Sequence, residues 1–226
     1  MAADLISLIQ KTDKEGSSLT IAISGGNTPK FLFSVIAEKY SISADWNKVH
    51  LFWVDERCVP PDDPESNYGM TDRLLLGKIN IPGKNIHRIR GEADPVAEAG
   101  RYSEEILKYT RHENKIPVFD IVILGMGEDG HTASIFPGNS ELLYSDRICD
   151  TAIHPVSGQK RVTITGKVIN NADAIIFIVT GQDKADIVSK IIGKRAEAVM
   201  FPASHIFSVR GNTTWLLDEE ASRFLN

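Results

Sequence analysis

The chain has 226 residues, 42% hydrophobic and 24% charged, with 25 Lys and Arg against 30 Asp and Glu for a formal net charge of −5. This composition is that of an ordinary globular protein and excludes disordered and fibrous classes, and the acidic balance argues against a general nucleic-acid binder, which would carry a basic excess. An anionic ligand stays open, because a pocket can be locally basic on an acidic protein.

In chain order, the first ten residues lack a basic start and a long apolar core, so no signal peptide is expected there. Residues 19–24 read as a buried strand running into Ser24-Gly25-Gly26-Asn27-Thr28-Pro29, with a helix over 29–39. Thr28 is expected as its N-cap, with Pro29 in the first turn. A strand over 49–55 ends on Asp55-Glu56-Arg57, followed by helices over 68–76 and 95–111, the second opened by Asp94-Pro95. Asp120-Ile121-Val122-Ile123-Leu124, inside a strand over 119–125, carries a continuous run of four apolar residues after the aspartate, as suits a strand buried on both faces. It leads into Gly125-Met126-Gly127-Glu128-Asp129-Gly130-His131. Strands over 161–165 and 174–180 follow, then Thr180-Gly181-Gln182-Asp183-Lys184 and a helix over 184–192.

This alternation predicts one α/β domain over residues 1–226, Rossmann-like, with a mostly parallel sheet, helices on both faces and a smaller lobe. No stretch approaches the roughly 18 apolar residues of a membrane span, so no membrane partner is expected and the cytoplasm is the expected location. Cys58 and Cys149 are too few for a disulfide framework and lack zinc-site spacing. In doubly wound sheets, ligands bind outside the carboxyl ends of the strands. The four polar clusters quoted above sit at such ends and would converge on one edge.

Each cluster has a chemistry and a plainer alternative. Glycines in Ser24–Pro29 would let backbone N–H groups approach an anion at a helix N-terminus; the alternative is a tight turn. The segment 125–130 is a literal G-x-G-x-x-G, but Glu128 and Asp129 occupy the place of a pyrophosphate and Pro137 soon stops any helix, so dinucleotide binding is disfavoured. As an acid–base site the same loop is coherent: Asp129 stands two residues from His131, where a carboxylate can orient an imidazole to take a proton from water. His50, His87, His112, His154 and His205 read as structural or loop residues. Arg57 and Lys184 are candidates for a phosphate or oxyanion contact, joined by Arg161 if its strand runs the other way; the alternative is solvated charge. Asp55 could simply cap a turn. Cys58 follows Arg57, a neighbour that favours a thiolate, but no histidine is tied to it.

Taken together, Ser24–Pro29, Trp53-Val54-Asp55-Glu56-Arg57, Ser66-Asn67-Tyr68-Gly69-Met70, residues 125–138 with Asp-Gly-His-Thr-Ala-Ser-Ile-Phe-Pro-Gly, Arg161-Val162-Thr163-Ile164-Thr165, Gly181-Gln182-Asp183-Lys184-Ala185, Pro202-Ala203-Ser204 and Trp215-Leu216-Leu217-Asp218 resemble the 6-phosphogluconolactonases of the glucosamine-6-phosphate isomerase/6-phosphogluconolactonase family. The resemblance implies hydrolysis of 6-phospho-D-glucono-1,5-lactone to 6-phosphogluconate in the oxidative pentose phosphate pathway, without metal or cofactor. It implies His131 as general base with Asp129 in support. Gly25, Gly26, Asn27, Asp55, Arg57, Arg161 and Lys184 would bind substrate, the cations and the glycine turn holding phosphate or oxyanion. The expected partner is a small sugar-phosphate lactone, on a monomer or a weak dimer. Deaminases of the family usually read Asp-Gly-His-Ile-Ala-Phe-Asn-Glu-Pro, whereas here the acid position is Phe136. A non-catalytic sugar-phosphate sensor would normally carry an added DNA-binding domain.

Overall fold

A computed structural model describes residues 2–14 and 18–225. The elements are α1 (Ala2–Lys14), β1 (Leu19–Ile23), α2 (Asn27–Lys39), β2 (Val49–Trp53), β3 (Asp55–Arg57), α3 (Asn67–Leu74), β4 (Ile86–His87), α4 (Pro95–Tyr109), β5 (Arg111–Glu113) and β6 (Ile116–Val118). There follow β7 (Ile121–Leu124), α5 (Glu141–Tyr144), β8 (Cys149–Ile153), β9 (Lys160–Ile164), α6 (Gly166–Asn170), β10 (Ala174–Val179), α7 (Ala185–Ile192), β11 (Asn212–Leu217) and α8 (Glu219–Ser222).

Six strands form the central sheet in the order β11-β10-β7-β1-β2-β4, every pairing parallel. β1 and β7 are buried along their whole lengths, as suits strands covered on both faces; β7 is apolar throughout, and β1 is apolar except for the buried Thr20. The chain lays β2 and β4 to one side of β1, then returns to place β7, β10 and β11 on the other. Where strand order reverses, between β1 and β7, the connections leave toward opposite faces and a crevice opens beyond the carboxyl ends.

The expected strand over 49–55 is two strands in two sheets. β2 ends at Trp53, and Val54 bridges: its N–H donates to the Ile23 carbonyl (2.9 Å) while its own carbonyl accepts from the Ile164 N–H (2.7 Å). β3 then joins an antiparallel sheet of order β3-β9-β8, which is the smaller lobe. The expected strand over 161–165 is β9 and lies here, outside the parallel sheet. Its sequence alternates charged or polar with apolar side chains, the pattern of an antiparallel strand. β4 is only two residues long and pairs with Leu51 and Phe52, so it stops short of Trp53. The hydroxyl of Tyr102 on α4 takes over, accepting from the Trp53 N–H and donating to its carbonyl, both at 2.9 Å. That buried phenol fixes the end of β2 just before the site.

Asp94 caps α4 as expected, accepting from the N–H groups of Val96 (3.1 Å) and Ala97 (3.0 Å). Thr28 does not cap α2. The helix begins two residues earlier than expected, with Gly26 at the N-cap, and the Thr28 hydroxyl instead meets that of Thr180 across the switch point (2.9 Å). Among the described residues, no helix is long and apolar enough to cross a membrane.

Candidate active site

A solvent-open cleft lies at the switch point, walled by the β1–α2 turn, the loop after β7, and the β3–β9 pair. The β1–α2 turn depends on two glycines. Gly26 has φ 101° and ψ −177°, a conformation open essentially to glycine alone. Gly25 sits so close to Asn67 that a Cβ would lie 1.8 Å from its amide oxygen. No side chain caps α2, so its first N–H groups are left for a ligand at the positive end of the helix.

The loop after β7 folds back on itself and no helix follows, which is not the geometry of a dinucleotide loop. The Gly127 N–H donates to the His131 carbonyl (2.9 Å) and the Gly130 N–H, at φ 77°, to the Gly127 carbonyl (3.1 Å). This places His131 Nδ1 2.6 Å from Asp129 Oδ1, which also accepts from the His131 N–H (3.1 Å). The imidazole lies directly over Gly127, where a Cβ would come within 2.1 Å of Nδ1. Burial opposes the charge on Asp129, but the hydrogen bond and charge of His131 outweigh it and hold the carboxyl below its ordinary value. An ionised Asp129 accepts a hydrogen bond from Nδ1–H, so in the neutral ring Nε2 carries the lone pair. The ring is 27% exposed and lines the cleft.

Opposite stand two guanidiniums. Arg57 and Arg161 are directly paired across β3 and β9, and the Nε of each is buried without a hydrogen-bond partner among the described residues. Arg57 donates to the Glu65 carbonyl (2.5 Å), and Arg161 lies 3.9 Å from Asp55 Oδ2. Burial lowers the pKa of Arg161; Asp55 counters this and Arg57 adds to it. Glu65 and Glu56 also act on Arg161, and the hydroxyl of Ser24 on the same cleft is buried and without a partner among the described residues. Buried polar atoms without partners are uncommon in folded proteins, and a ligand rich in acceptor oxygens would satisfy these three.

Asp55 is occupied: Oδ2 accepts from the Ser134 hydroxyl (2.6 Å), and its carbonyl accepts from the Asn67 amide (2.9 Å). Glu56 turns the other way, its buried carboxylate accepting from the N–H groups of Arg57, Asn67 and Tyr68 (2.8 Å each) and from the Ser66 hydroxyl (3.1 Å), which anchors the start of α3. Gly25, Gly26, Asn27, Asp55, Arg57, Arg161 and His131 therefore come together on one cleft. Asp129 stands behind His131, outside the lining. Lys184 is also outside it: its ammonium, 14% exposed, lies between Asp183 (2.6 Å) and Glu128 (3.4 Å). Cys58 is no thiolate, since burial and then the Glu56 charge push its thiol up. Asn67 lines the cleft and had been given no role; its sequence signal was a polar residue following an N-cap serine, Ser66, whose hydroxyl accepts from the Gly69 N–H (3.0 Å). Among the described residues, no cluster of three or more His, Cys, Asp and Glu could hold a metal ion.

A parallel doubly wound sheet with a carboxylate–imidazole pair and two guanidiniums on one cleft at its switch point is the architecture of an α/β enzyme. The family model for glucosamine-6-phosphate isomerases/6-phosphogluconolactonase matches residues 1–215, and the chain belongs to this family. A Haemophilus influenzae protein named 6-phosphogluconolactonase is 45% identical over 206 residues, 91% of this chain and 87% of the relative. The crystal structure of devB protein superposes with a TM-score of 0.94 at 43% identity, covering 100% of this chain and 94% of that one. That of 6-phosphogluconolactonase from Trypanosoma cruzi gives 0.86 at 29% identity, covering 100% and 91%.

Proposed function

We propose that the chain hydrolyses 6-phospho-D-glucono-1,5-lactone to 6-phosphogluconate, the lactonase step of the oxidative pentose phosphate pathway. The observation that carries this reading is the Asp129–His131 pair, with Nδ1 held by the carboxylate, on one cleft with two guanidiniums whose buried Nε atoms have no partner among the described residues. A lactone is an activated ester, so one general base and one oxyanion contact suffice. His131 Nε2 takes a proton from water as its oxygen adds to the C1 carbonyl. The tetrahedral oxyanion is met by cleft donors, and its collapse breaks the ring C–O bond, with the proton returned to the ring oxygen. The uncapped α2 N-terminus, Arg57, Arg161 and Lys184 bind the phosphate and oxyanion, with Lys184 released from Glu128 or Asp183 for that purpose.

Phe136 distinguishes this reading from deamination. At the position where the deaminases of the family usually carry an acid, its ring is 1% exposed and packed against His131, with no proton to give. The test is acid release from freshly generated lactone, corrected for spontaneous hydrolysis, with and without the 6-phosphate. The phosphorylated lactone is the far better substrate in kcat/KM, because remote binding energy positions the ring. Equal values for the two lactones would overturn the phosphate assignment, and no enzymatic release from either would overturn the activity.

A further inference from the structure

His154 opens the β8–β9 turn, its N–H donating to the Gln159 carbonyl and its carbonyl accepting from the Gly158 N–H, both at 2.9 Å. Its Nδ1 accepts from the N–H groups of Val156 (3.3 Å) and Ser157 (3.1 Å). A ring nitrogen that accepts amide protons carries none itself, so the hydrogen of the neutral ring is on Nε2. Among the described residues nothing accepts that Nε2–H. The ring also meets Phe136 edge-on, with centroids 5.1 Å apart and planes at 78°. Phe136 in turn touches the His131 ring (4.9 Å) and lies under the Arg161 guanidinium (5.9 Å). One buried phenyl ring thus gathers the base, a cation of the opposite wall and His154. Burial, followed by the charges of Arg161 and His131, holds the His154 imidazole below its ordinary range, so it is a neutral donor.

We propose that His154, which stands beside the cleft behind Phe136 and outside its lining, is a specificity-determining residue, its Nε2–H donating to an oxygen of the bound sugar phosphate. The proposal rests on the lactonase reading and adds to it a contact from the smaller lobe. Because two turn amides and the Phe136 ring already fix the imidazole, binding orders little that is not ordered beforehand. A neutral donor also selects for a correctly placed oxygen without adding to the charge attraction that any phosphate would feel.

His154→Asn separates this role from a structural one. Its Oδ1 replaces Nδ1 as acceptor for the turn amides, while nothing replaces Nε2–H. The expected result is a KM for the phosphorylated lactone, and a Kd for 6-phosphogluconate by calorimetry, each raised about three- to tenfold, the worth of one neutral hydrogen bond. kcat stays within about twofold and the melting temperature is unchanged. His154→Gln, whose amide nitrogen reaches toward the position of Nε2, recovers part of the loss. In the wild type, the His154 Nε2–H resonance shifts when 6-phosphogluconate is added, a measurement independent of how the variants fold. Wild-type turnover with unchanged KM and Kd in His154→Asn, or an unmoved resonance at saturating product, overturns the proposal and leaves the lactonase reading standing. A wild type that neither hydrolyses the lactone nor binds the product overturns both.

Discussion

Replacing His131 by Asn isolates proton acceptance from everything else the loop does. The asparagine amide can occupy the place of Nδ1 and still donate to Asp129 Oδ1, which His131 engages at 2.6 Å, but no atom stands where Nε2 was. The loop keeps the backbone bond from the Gly127 N–H to the carbonyl of residue 131, which no side chain affects. Fold and cleft are therefore retained and only the base is lost. A positioned general base contributes roughly 10²–10⁴ in rate, about 3–5 kcal/mol of barrier, so kcat falls by that factor. The Kd for 6-phosphogluconate changes by no more than about threefold, because Arg57, Arg161 and the α2 N-terminus are untouched and a lost contact worth less than about 0.7 kcal/mol gives that change. The assay is pH-stat titration of acid release from freshly made lactone, alongside calorimetry with the product. A folded variant that kept more than about a third of wild-type kcat would remove His131 from the role of base, since that corresponds to a barrier change of under about 0.7 kcal/mol.

Gly127→Ala puts a methyl 2.1 Å from His131 Nδ1 and 2.8 Å from Asp129 Oδ1, so the imidazole must leave its seat. kcat should drop toward the His131→Asn level, and the double variant should lose little more than either single one; additive losses would show that Gly127 acts elsewhere. Arg161→Lys keeps a charge but loses the Nε donor and the planar fork, and should lower kcat/KM for the phosphorylated lactone about 10- to 100-fold, the range of a hydrogen bond to a charged group. Steady-state kinetics that matched wild type would return Arg161 to a purely structural role. His87 is buried between Phe52 and Tyr109, donates toward Glu105 (2.7 Å) and meets His50 (2.9 Å). Burial first, and for His50 the His87 charge next, lowers both imidazoles, whereas Glu105 opposes the shift at His87. With folded values below the unfolded value of about 6.5, their contribution to stability is complete above that pH and is lost as pH falls through the folded values. Urea melts from pH 8 to 5 should show a decline in wild type that flattens in His87→Gln; an equal decline in both would place the titration elsewhere.

Local patterning carried most of the fold. The apolar runs of β1 and β7 stated both their strand character and their double burial, and Asp94-Pro95 marked the start of α4. Sheet membership was less legible. Nothing between Trp53 and Asp55 announces that Val54 hands the chain from one sheet to another, because that switch is made by backbone bonds to Ile23 and Ile164, which are distant in sequence. β11 begins Asn212-Thr213-Thr214 and lies half-exposed at the sheet edge, so it lacks the apolar signature of the central strands. Within the site, the Asp129–His131 spacing was readable because both partners sit on one turn. The pairing of Arg57 with Arg161 was not, since it depends on the register of an antiparallel pair whose members are a hundred residues apart in the chain. Thr28 misled because threonine before proline suits an N-cap, whereas Gly26 alone tolerates the conformation that starts α2 two residues earlier.

The switch at Val54 also decides what Asp55 does. Had the strand continued through the parallel sheet, Asp55 and Arg57 would point the same way from one strand end, as separate groups at a crevice. By turning into the second sheet, the chain brings Asp55 opposite Thr163 and Arg57 opposite Arg161, so that the carboxylate is flanked by the loop that carries His131 on one side and by Arg161 on the other. The bond from the Ser134 hydroxyl then fixes that loop to the cationic wall, and the negative charge offsets the mutual repulsion of two guanidiniums that burial would otherwise magnify. A single buried side chain, on the residue next to the one where the two sheets meet, thus ties the loop that carries His131 to Arg161.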